Sequence, residues 1–112
     1  MKMESPPDRP LEVVASAFAA LGSEQRLAVL KTLVRAGEAG LSIGELGARC
    51  GVTGSTLTHH MRILTGAGLT RQVKSGRQVI CVAASYHEVR ALSEYLLREC
   101  CADTTHSDHH HD

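Results

Sequence analysis

Apolar residues recur every three or four positions along much of the chain, and this spacing predicts amphipathic helices. The first two cover residues 11–21 and 24–35, and Ser23 between them is expected to cap the second helix. A further helix is predicted near the end of the chain, over residues 86–101. The stripes at helical spacing are Val14, Phe18 and Leu21, then Leu27, Leu30 and Val34, and finally Val89, Leu92, Ser93, Leu96, Leu97 and Cys100.

The middle of the chain predicts two short helices joined by a tight turn. Ser42 and Glu45 fit a capping box at the start of a helix over residues 43–49. Gly51 can take the positive φ that a sharp turn needs, and a second helix follows over residues 53–66. Two short helices joined in this way are typical of a helix-turn-helix. The alternative is an ordinary helical hairpin.

The second of these helices has one apolar and one polar face. Thr53 is the predicted N-cap, and Leu57, Met61 and Leu64 recur at i, i+4 and i+7, which predicts one buried stripe. Hydroxyl, imidazole and guanidinium groups occupy the opposite face, where they can reach base edges and phosphates from a major groove. The residues on that face are Ser55, Thr56, Thr58, His59 and Arg62.

A β-hairpin is predicted directly after this helix. Its strands cover residues 69–74 and 78–83, and Gly76 lies in the turn between them, where a positive φ is needed. Three cations, Arg71, Lys74 and Arg77, decorate the hairpin. A basic hairpin beside a DNA-binding helix is expected to act as a wing that contacts the backbone or the minor groove. The alternative is a hairpin that only covers the core.

Charge is distributed unevenly, although the chain is neutral as a whole, with 12 basic and 12 acidic residues among 112. Residues 46–87 contain no Asp or Glu, and the basic residues there include Arg49 and Arg62. A basic centre between acidic flanks is the charge pattern of one face that meets phosphates. A chance gap in acidic residues is the alternative explanation.

Composition narrows the function classes further. The chain has no Trp, one Phe and two Tyr, which argues against binding single strands on aromatic platforms. It contains no apolar run near 18 residues and no secretory signal, so we expect a cytoplasmic protein without membrane contact. One domain is expected over residues 11–101, between a disordered lead-in at residues 1–10 and a disordered tail at residues 102–112, with His106 and His109 to His111. No motif of a catalytic site is present, which argues against an enzyme.

Four stretches, taken with the order of the predicted elements, carry a family resemblance: residues 20–27 (ALGSEQRL), 55–64 (STLTHHMRIL), 66–71 (GAGLTR) and the turn at 76–77. They resemble the ArsR/SmtB family of winged helix-turn-helix repressors. The resemblance implies a mainly α fold with a small β-hairpin wing, which forms a homodimer through the first and last helices. It also implies binding to palindromic double-stranded operator DNA and release by a metal, a metalloid or a redox signal. By this resemblance, the operator would face Ser55, Thr56, Thr58, His59 and His60.

The resemblance does not identify the inducer, because the ligand motifs of two well-known family types are missing. Residues 42–44 read Ser-Ile-Gly where one type has Cys-Val-Cys before the helix-turn-helix. On the last helix, Ser85 stands in place of the Asp of an Asp-x-His pair, and Arg98 stands in place of a later His. The inducer must therefore be inferred from the four cysteines of the chain.

Three of these cysteines, Cys81, Cys100 and Cys101, are the predicted inducer ligands. Because a helix turns about 100° per residue, Cys100 and Cys101 can converge only if the end of the last helix unwinds. Thiolates suit a thiophilic ion, and trivalent arsenic forms up to three bonds, so arsenite or methylarsenite fits this set. The set also resembles the thiols of arsenical-responsive ArsR proteins. Cys50, at the bend of the helix-turn-helix, is left out.

Alternatives to an arsenical remain. A zinc or cadmium site could use the same thiols with a histidine of the tail, although tetrahedral sites usually have four ligands. A thiol-redox switch requires two cysteines to come within bonding reach. Buried cysteine can also be simple packing. The sequence therefore predicts a DNA-binding repressor released by a thiophilic inducer. A small Cys/His protein that handles metal or arsenic without any DNA function is the alternative from another class.

Overall fold

A computed structural model describes residues 9–104 of the chain. The predicted tail histidines, His106 and His109 to His111, and most of the predicted lead-in lie outside the described residues. The elements are α1 (Leu11–Ala20), α2 (Glu24–Ala36), a 3₁₀ turn (Gly37–Ala39), β1 (Leu41–Ser42), α3 (Ile43–Cys50), α4 (Gly54–Gly66), β2 (Thr70–Ser75), β3 (Gln78–Ala83) and α5 (Tyr86–Leu97). The predicted order of helices and strands is confirmed.

Side-chain caps begin three of the helices. The hydroxyl of Ser23 accepts a hydrogen bond from the backbone N–H of Arg26 at 3.2 Å, as predicted for the start of α2. At α3 the capping box is confirmed. The hydroxyl of Ser42 accepts from the N–H of Glu45 at 3.2 Å, while the Glu45 carboxylate accepts from the N–H of Ser42 at 2.9 Å. These hydrogen bonds lower the pKa of Glu45. Ser85 caps α5 in the same way.

The sheet has three antiparallel strands in the order β1-β3-β2. The predicted hairpin of β2 and β3 is confirmed, and Gly76 in its turn has a φ of +63°. We call this hairpin the wing. The two-residue strand β1 was not predicted. It pairs Leu41 with Cys81 and Ser42 with Ile80, so it joins the start of α3 directly to the base of the wing.

One hydrophobic core lies between α1, α2, α3, α4 and the base of the wing. Its largest fully buried members are Val29, Leu33, Leu46, Leu57, Met61, Leu64 and Cys81. The stripes predicted for α1 and α2 were wrong in part. In α1 the small residues Ala17 and Ala20 face the core with Val14, and Phe18 is 37% exposed. In α2 the core takes Val29, Leu30 and Leu33, which leaves Leu27 and Val34 exposed.

The last helix is shorter and less buried than predicted. It ends at Leu97, and residues 98–103 form turns. Of the twelve residues of α5, all of which the structure describes, only Leu92 is buried. Leu96 and Leu97, which belong to the predicted stripe, are 67% and 66% exposed. The end of the apolar stripe of α5, at Leu96 and Leu97, is therefore left uncovered by the described chain.

Across residues 9–104, no single helix is long and apolar enough to cross a membrane. By length and composition alone, the bent pair formed by Leu11–Ala20 and Glu24–Ala39 would pass as a broken span, as core helices also do.

Candidate nucleic-acid interface

Helix α4 presents a polar face to solvent and packs its apolar face on the core. The predicted stripe is confirmed, because Leu57, Met61 and Leu64 are each at most 2% exposed. All five side chains predicted for the opposite face are exposed: Ser55, Thr56, Thr58, His59 and Arg62. Since the apolar stripe packs on the core, the polar face can only point outward. The side chains on it present hydrogen-bond donors and acceptors of the kinds that read base edges.

Within the described chain, the N-terminus of α4 has neither an acidic side chain nor a side-chain cap in its first turn. Among the five α-helices of the described chain, α4 alone has no acidic residue in its first turn. Thr53 occupies the N-cap position, as predicted, but its hydroxyl accepts no capping hydrogen bond from the described first turn. Gly54, the first helical residue, has a φ of +57°, so the chain enters the helix along an unusual path. The positive end of the helix dipole is thus left for an external anion such as a phosphate.

The angle between α3 and α4 depends on a close approach at Gly47. A methyl group built at this position would lie 2.8 Å from the backbone oxygen of Val52 and 3.3 Å from Cδ2 of Leu57. Gly51, which ends α3, has φ and ψ of 75° and 17°, the left-handed conformation predicted for the turn. These two glycines let α3 pack tightly against the start of α4. The packing sets the direction in which α4 leaves the core.

His60 is the exception among the residues expected to face an operator. It is only 8% exposed, so its predicted place on the polar face was wrong. Its Nε2 lies 2.8 Å from Oε1 of Gln25, and its Nδ1 lies 3.4 Å from Nη1 of Arg26. The position follows from helical geometry, because His60 is three residues after buried Leu57 and therefore belongs to the edge of the same stripe. Its spacing from Leu57 was the signal in the sequence that could have predicted its burial.

The wing carries its cations on different sides. Arg71, Lys74 and Arg77 are all exposed, in agreement with the predicted positions. Arg71 pairs with Val82 and Lys74 with Val79 along the strands. Because successive side chains of a strand alternate, Arg71 and Lys74 point to opposite faces of the wing. Lys74 and Arg77 lie at the tip of the wing, and Arg71 lies nearer its base.

The cysteines do not form the predicted set of three. Cys81 is fully buried in β3, and burial raises the pKa of its thiol. An ion could reach its sulfur only if the core opened. Within residues 9–104, no group of three or more His, Cys, Asp or Glu side chains is arranged to hold a metal ion. Cys50 is half-buried and packs against the core, as expected for a residue left out of the site.

The other two predicted ligands do converge. Their sulfur atoms, in Cys100 and Cys101, lie 3.4 Å apart. Convergence requires the end of the helix to unwind, and the structure meets that condition. Helix α5 ends at Leu97, and Cys101 has a left-handed φ of +64°. The hydrogen bond between the two thiols raises the pKa of Cys101, with further contributions from desolvation and from the negative charge that Cys100 carries when ionised. We call these two residues the thiol pair.

The chain is similar in sequence to helix-turn-helix transcriptional regulators. Residues 21–73 match the helix-turn-helix domain family. Over 66 residues, the chain is 39% identical to the uncharacterized HTH-type transcriptional regulator YceK of Bacillus subtilis (strain 168), and the match covers 59% of this chain and 65% of the relative. The chain spans between 52% and 65% of the length of the curated relatives it matches.

Two solved structures share the fold. An ArsR-like transcriptional regulator from Rhodococcus sp. RHA1 is 30% identical, with a TM-score of 0.69 over 82% of each chain. Mb0332 from Mycobacterium bovis, a homodimeric winged helix-turn-helix DNA-binding domain, has a TM-score of 0.65 over 89% of this chain and 90% of its own. At 20% identity, the second likeness concerns the fold alone. These relatives are transcriptional regulators and DNA-binding domains, as predicted, and not enzymes.

Proposed function

Since the chain belongs to the ArsR family of winged helix-turn-helix transcriptional regulators, we propose that it is a homodimeric repressor that a thiophilic inducer releases from its operator. The observation that carries the DNA part is the exposed polar face of α4. This face lies within residues 46–87, which contain no acidic residue, and the basic wing follows it in the same segment. We call α4 the recognition helix from here on.

On DNA, the recognition helix would enter the major groove with its polar face toward the bases. Ser55, Thr56, Thr58 and His59 would then lie near base edges, and Arg62 would reach a phosphate or a guanine. The uncapped N-terminus of the helix would receive a backbone phosphate. Lys74 and Arg77 at the tip of the wing would contact the neighbouring backbone or the minor groove. Because DNA is the partner, we expect the protein in the cytoplasm.

Exposed apolar residues on the first and last helices support the homodimer. Leu11 and Phe18 on α1 and Leu96 and Leu97 on α5 are large apolar side chains open to solvent. A twelve-residue helix that buries one leucine gains little from packing on its own subunit, so a second copy that covers α5 would stabilise it. Two subunits related by a twofold axis would place two recognition helices at half-sites about one helical turn apart.

The thiol pair is the proposed inducer site. Its sulfur atoms are 3.4 Å apart, close enough for one thiophilic ion to bind both. Tetrahedral zinc sites usually have four ligands, whereas two thiolates satisfy methylarsenite. Arsenite would need a third thiol. Because buried Cys81 of the same chain is poorly suited, the third would have to come from elsewhere, such as the second subunit.

Release would follow from the place of the thiol pair in the chain. Cys100 lies three residues after the end of α5, the helix that we assign to the dimer seam. An inducer bound there would restrain the turns at residues 98–103 and change how α5 meets its copy. The separation of the two recognition helices would change with it. An inducer shifts this equilibrium only as far as its affinities for the two arrangements differ.

The DNA part is tested by fluorescence anisotropy on a labelled duplex that carries the DNA upstream of the protein's own gene. Affinity should fall steeply with salt, and Arg62→Gln should lower the slope of log K against log salt by about 0.9 for each phosphate that the variant no longer neutralises. Arg35→Gln, which changes an exposed arginine on α2 outside the acid-free segment, is the matched control. Binding that is absent or independent of salt would instead favour a Cys/His protein that handles metal or arsenic without DNA.

The inducer part uses the same duplex and the reduced protein. Arsenite, methylarsenite, zinc, cadmium and a mild oxidant are added separately to the saturated complex. We expect release by an arsenical, abolished in Cys100→Ser and in Cys101→Ser but kept in the control Cys50→Ser. Release by zinc or cadmium alone would assign the site to a metal ion, and release by the oxidant alone would make it a redox switch. Release that survives both thiol-pair variants would refute the assigned site.

A further inference from the structure

His60 ties the recognition helix to the corner where α1 meets α2. Gln25 and Arg26, its two partners, lie in the first turn of α2, 34 or 35 residues earlier in the chain. Arg26 also donates from Nε to the backbone oxygen of Ala20, the last residue of α1, at 2.7 Å. One side chain of the recognition helix is thus connected to two other helices. The packing of α4 on the core is otherwise mainly apolar and therefore less directional.

The partners of His60 require a neutral ring. A guanidinium has only N–H donors, so Nδ1 of His60 must be unprotonated to accept from Arg26. The proton then sits on Nε2, which donates to the amide oxygen of Gln25. Both ring nitrogens are satisfied in this one tautomer. A proton added at Nδ1 would set two donors and two positive charges against each other at the 3.4 Å separation seen here.

The surroundings oppose that proton in other ways as well. Burial, the positive charge of Arg26 and the neighbouring imidazole of His59 all lower the pKa of His60, in that order of importance. The ring of His59 lies 5.9 Å from that of His60 on the same helix. Gln25, the other group against the ring, is uncharged. A proton can therefore enter the site only if the ring gives up its contact with Arg26.

We propose that His60 is a positioning residue of the recognition helix, and that protonation of its ring loosens α4 from the α1–α2 corner and lowers operator affinity. This inference rests on the proposed DNA-binding function. His59 is a second imidazole, on the face that would meet phosphates, and its ring lies 5.9 Å from that of His60. The test must therefore separate the two residues.

To separate the two histidines, both of the proteins that are compared carry His59→Gln. Affinity for the labelled upstream duplex is measured from pH 7.5 to 5.5 at constant ionic strength, for His59→Gln and for His59→Gln with His60→Gln. Gln at position 60 keeps an N–H that can reach Gln25 but does not titrate. The single variant should lose affinity toward pH 5.5, by less than the roughly tenfold per subunit that an ordinary histidine pKa of about 6.5 would allow, because the pKa of His60 is lowered. The double variant should lose less. Profiles that coincide after normalisation at pH 7.5 would overturn the inference.

A second variant keeps the test decisive if His60→Gln does not fold. Gln25→Glu places a carboxylate against Nε2 with almost no change in shape, and a nearby negative charge raises the pKa of an imidazole. The titration midpoint of His60, followed by NMR of its ring, should move to higher pH. The loss of operator affinity should move with it. An unchanged midpoint, or a midpoint that moves without the affinity, would refute the assignment.

Failure of the function and failure of the inference give different results. If the wild-type protein does not bind the duplex in a salt-dependent way at pH 7.5, the proposed function is wrong and the role of His60 falls with it. If the duplex is bound but the profiles of the two His59→Gln proteins coincide, the function stands and His60 is only a core residue.

Discussion

Gly47→Ala tests the close packing of α3 on the start of α4. The new methyl group would lie 2.8 Å from the backbone oxygen of Val52, closer than Cβ atoms approach non-bonded heavy atoms in proteins. That oxygen belongs to the turn and cannot move aside like the end of a long side chain. Gly44→Ala is the matched control in the same helix, because, apart from its chain neighbours and the backbone of its own helix, no heavy atom of the described residues lies within 4 Å of the added methyl group.

The two substitutions should change the free energy of unfolding in opposite directions. In a helix, Ala is favoured over Gly by about 0.5–1 kcal/mol, and Gly44→Ala should gain up to that amount. Gly47→Ala gains the same propensity, but forcing a methyl group into a packed site costs about 1–3 kcal/mol. We therefore expect the free energy of unfolding of Gly47→Ala to fall by up to about 2 kcal/mol and to lie about 1–3 kcal/mol below that of Gly44→Ala. For a domain of this size, each kcal/mol corresponds to about 4–8 °C in Tm.

The assay is urea unfolding followed by circular dichroism, at one protomer concentration because a dimer's stability depends on it. Operator affinity is measured on the same samples at a temperature where all are folded. Gly47→Ala should also bind more weakly, since the shift needed to admit the methyl group changes the angle between α3 and the recognition helix. Equal stability of Gly47→Ala and Gly44→Ala would refute the close packing. Lower stability with unchanged affinity would refute its role in aiming α4.

Three further predictions concern the caps, the dimer seam and pH. Ser42→Ala should cost about 0.5–2 kcal/mol in urea unfolding, because it removes a capping hydrogen bond, whereas Thr53→Ala should cost clearly less because its hydroxyl caps nothing in the described first turn. In sedimentation experiments, Leu97→Asp should shift the protein toward monomer, and the control Leu27→Asp should not; two equal shifts would place the seam elsewhere. Because the folded-state pKa of His60 is lowered, the unfolded chain takes up the proton first. Stability should therefore be full above about pH 6.5 and fall as the pH drops below it, less so in His60→Gln.

Local signals in the sequence predicted most of the elements. Ser23 and Ser42 begin α2 and α3 as expected, because an N-cap acts on the backbone of its own first turn. Gly51 and Gly76 take the positive φ predicted for their turns for the same local reason. The apolar stripe of α4 was also predicted correctly. There the polar residues leave only one arrangement of the helix that buries its apolar side chains.

For helices with apolar residues on more than one side, the sequence did not predict the buried face correctly. In α1 and α2, two overlapping sets of residues share helical spacing, and the predicted set differs from the buried one at Phe18, Leu27 and Val34. Ala17 faces the core in place of the larger Phe18. Strand β1 has two residues, too few to show any alternation, and it exists only because Leu41 and Ser42 pair with β3. Neighbours that are distant in sequence decide both features.

The candidate site also has features that the sequence predicted and features that depend on distant contacts. Exposure of Ser55, Thr56 and His59, and of the cations of the wing, followed from pattern and charge. The structure does not group Cys81 with the other two predicted ligands, because β3 pairs on both edges and carries Cys81 into the core. Sequence spacing does not reveal this pairing. The thiol pair converges because α5 stops at Leu97.

By itself, the sequence determined the order of helices and strands, the caps, the turns and the polar face of α4, because each depends on residues within one or two turns of one another. Only the tertiary structure decided which faces of α1 and α2 are buried and that β1 joins α3 to the wing. It also decided that His60 binds Gln25 and Arg26 beneath the recognition helix. These features depend on contacts between residues far apart in the chain, where several packings satisfy the same hydrophobic pattern and shape and hydrogen bonding select one.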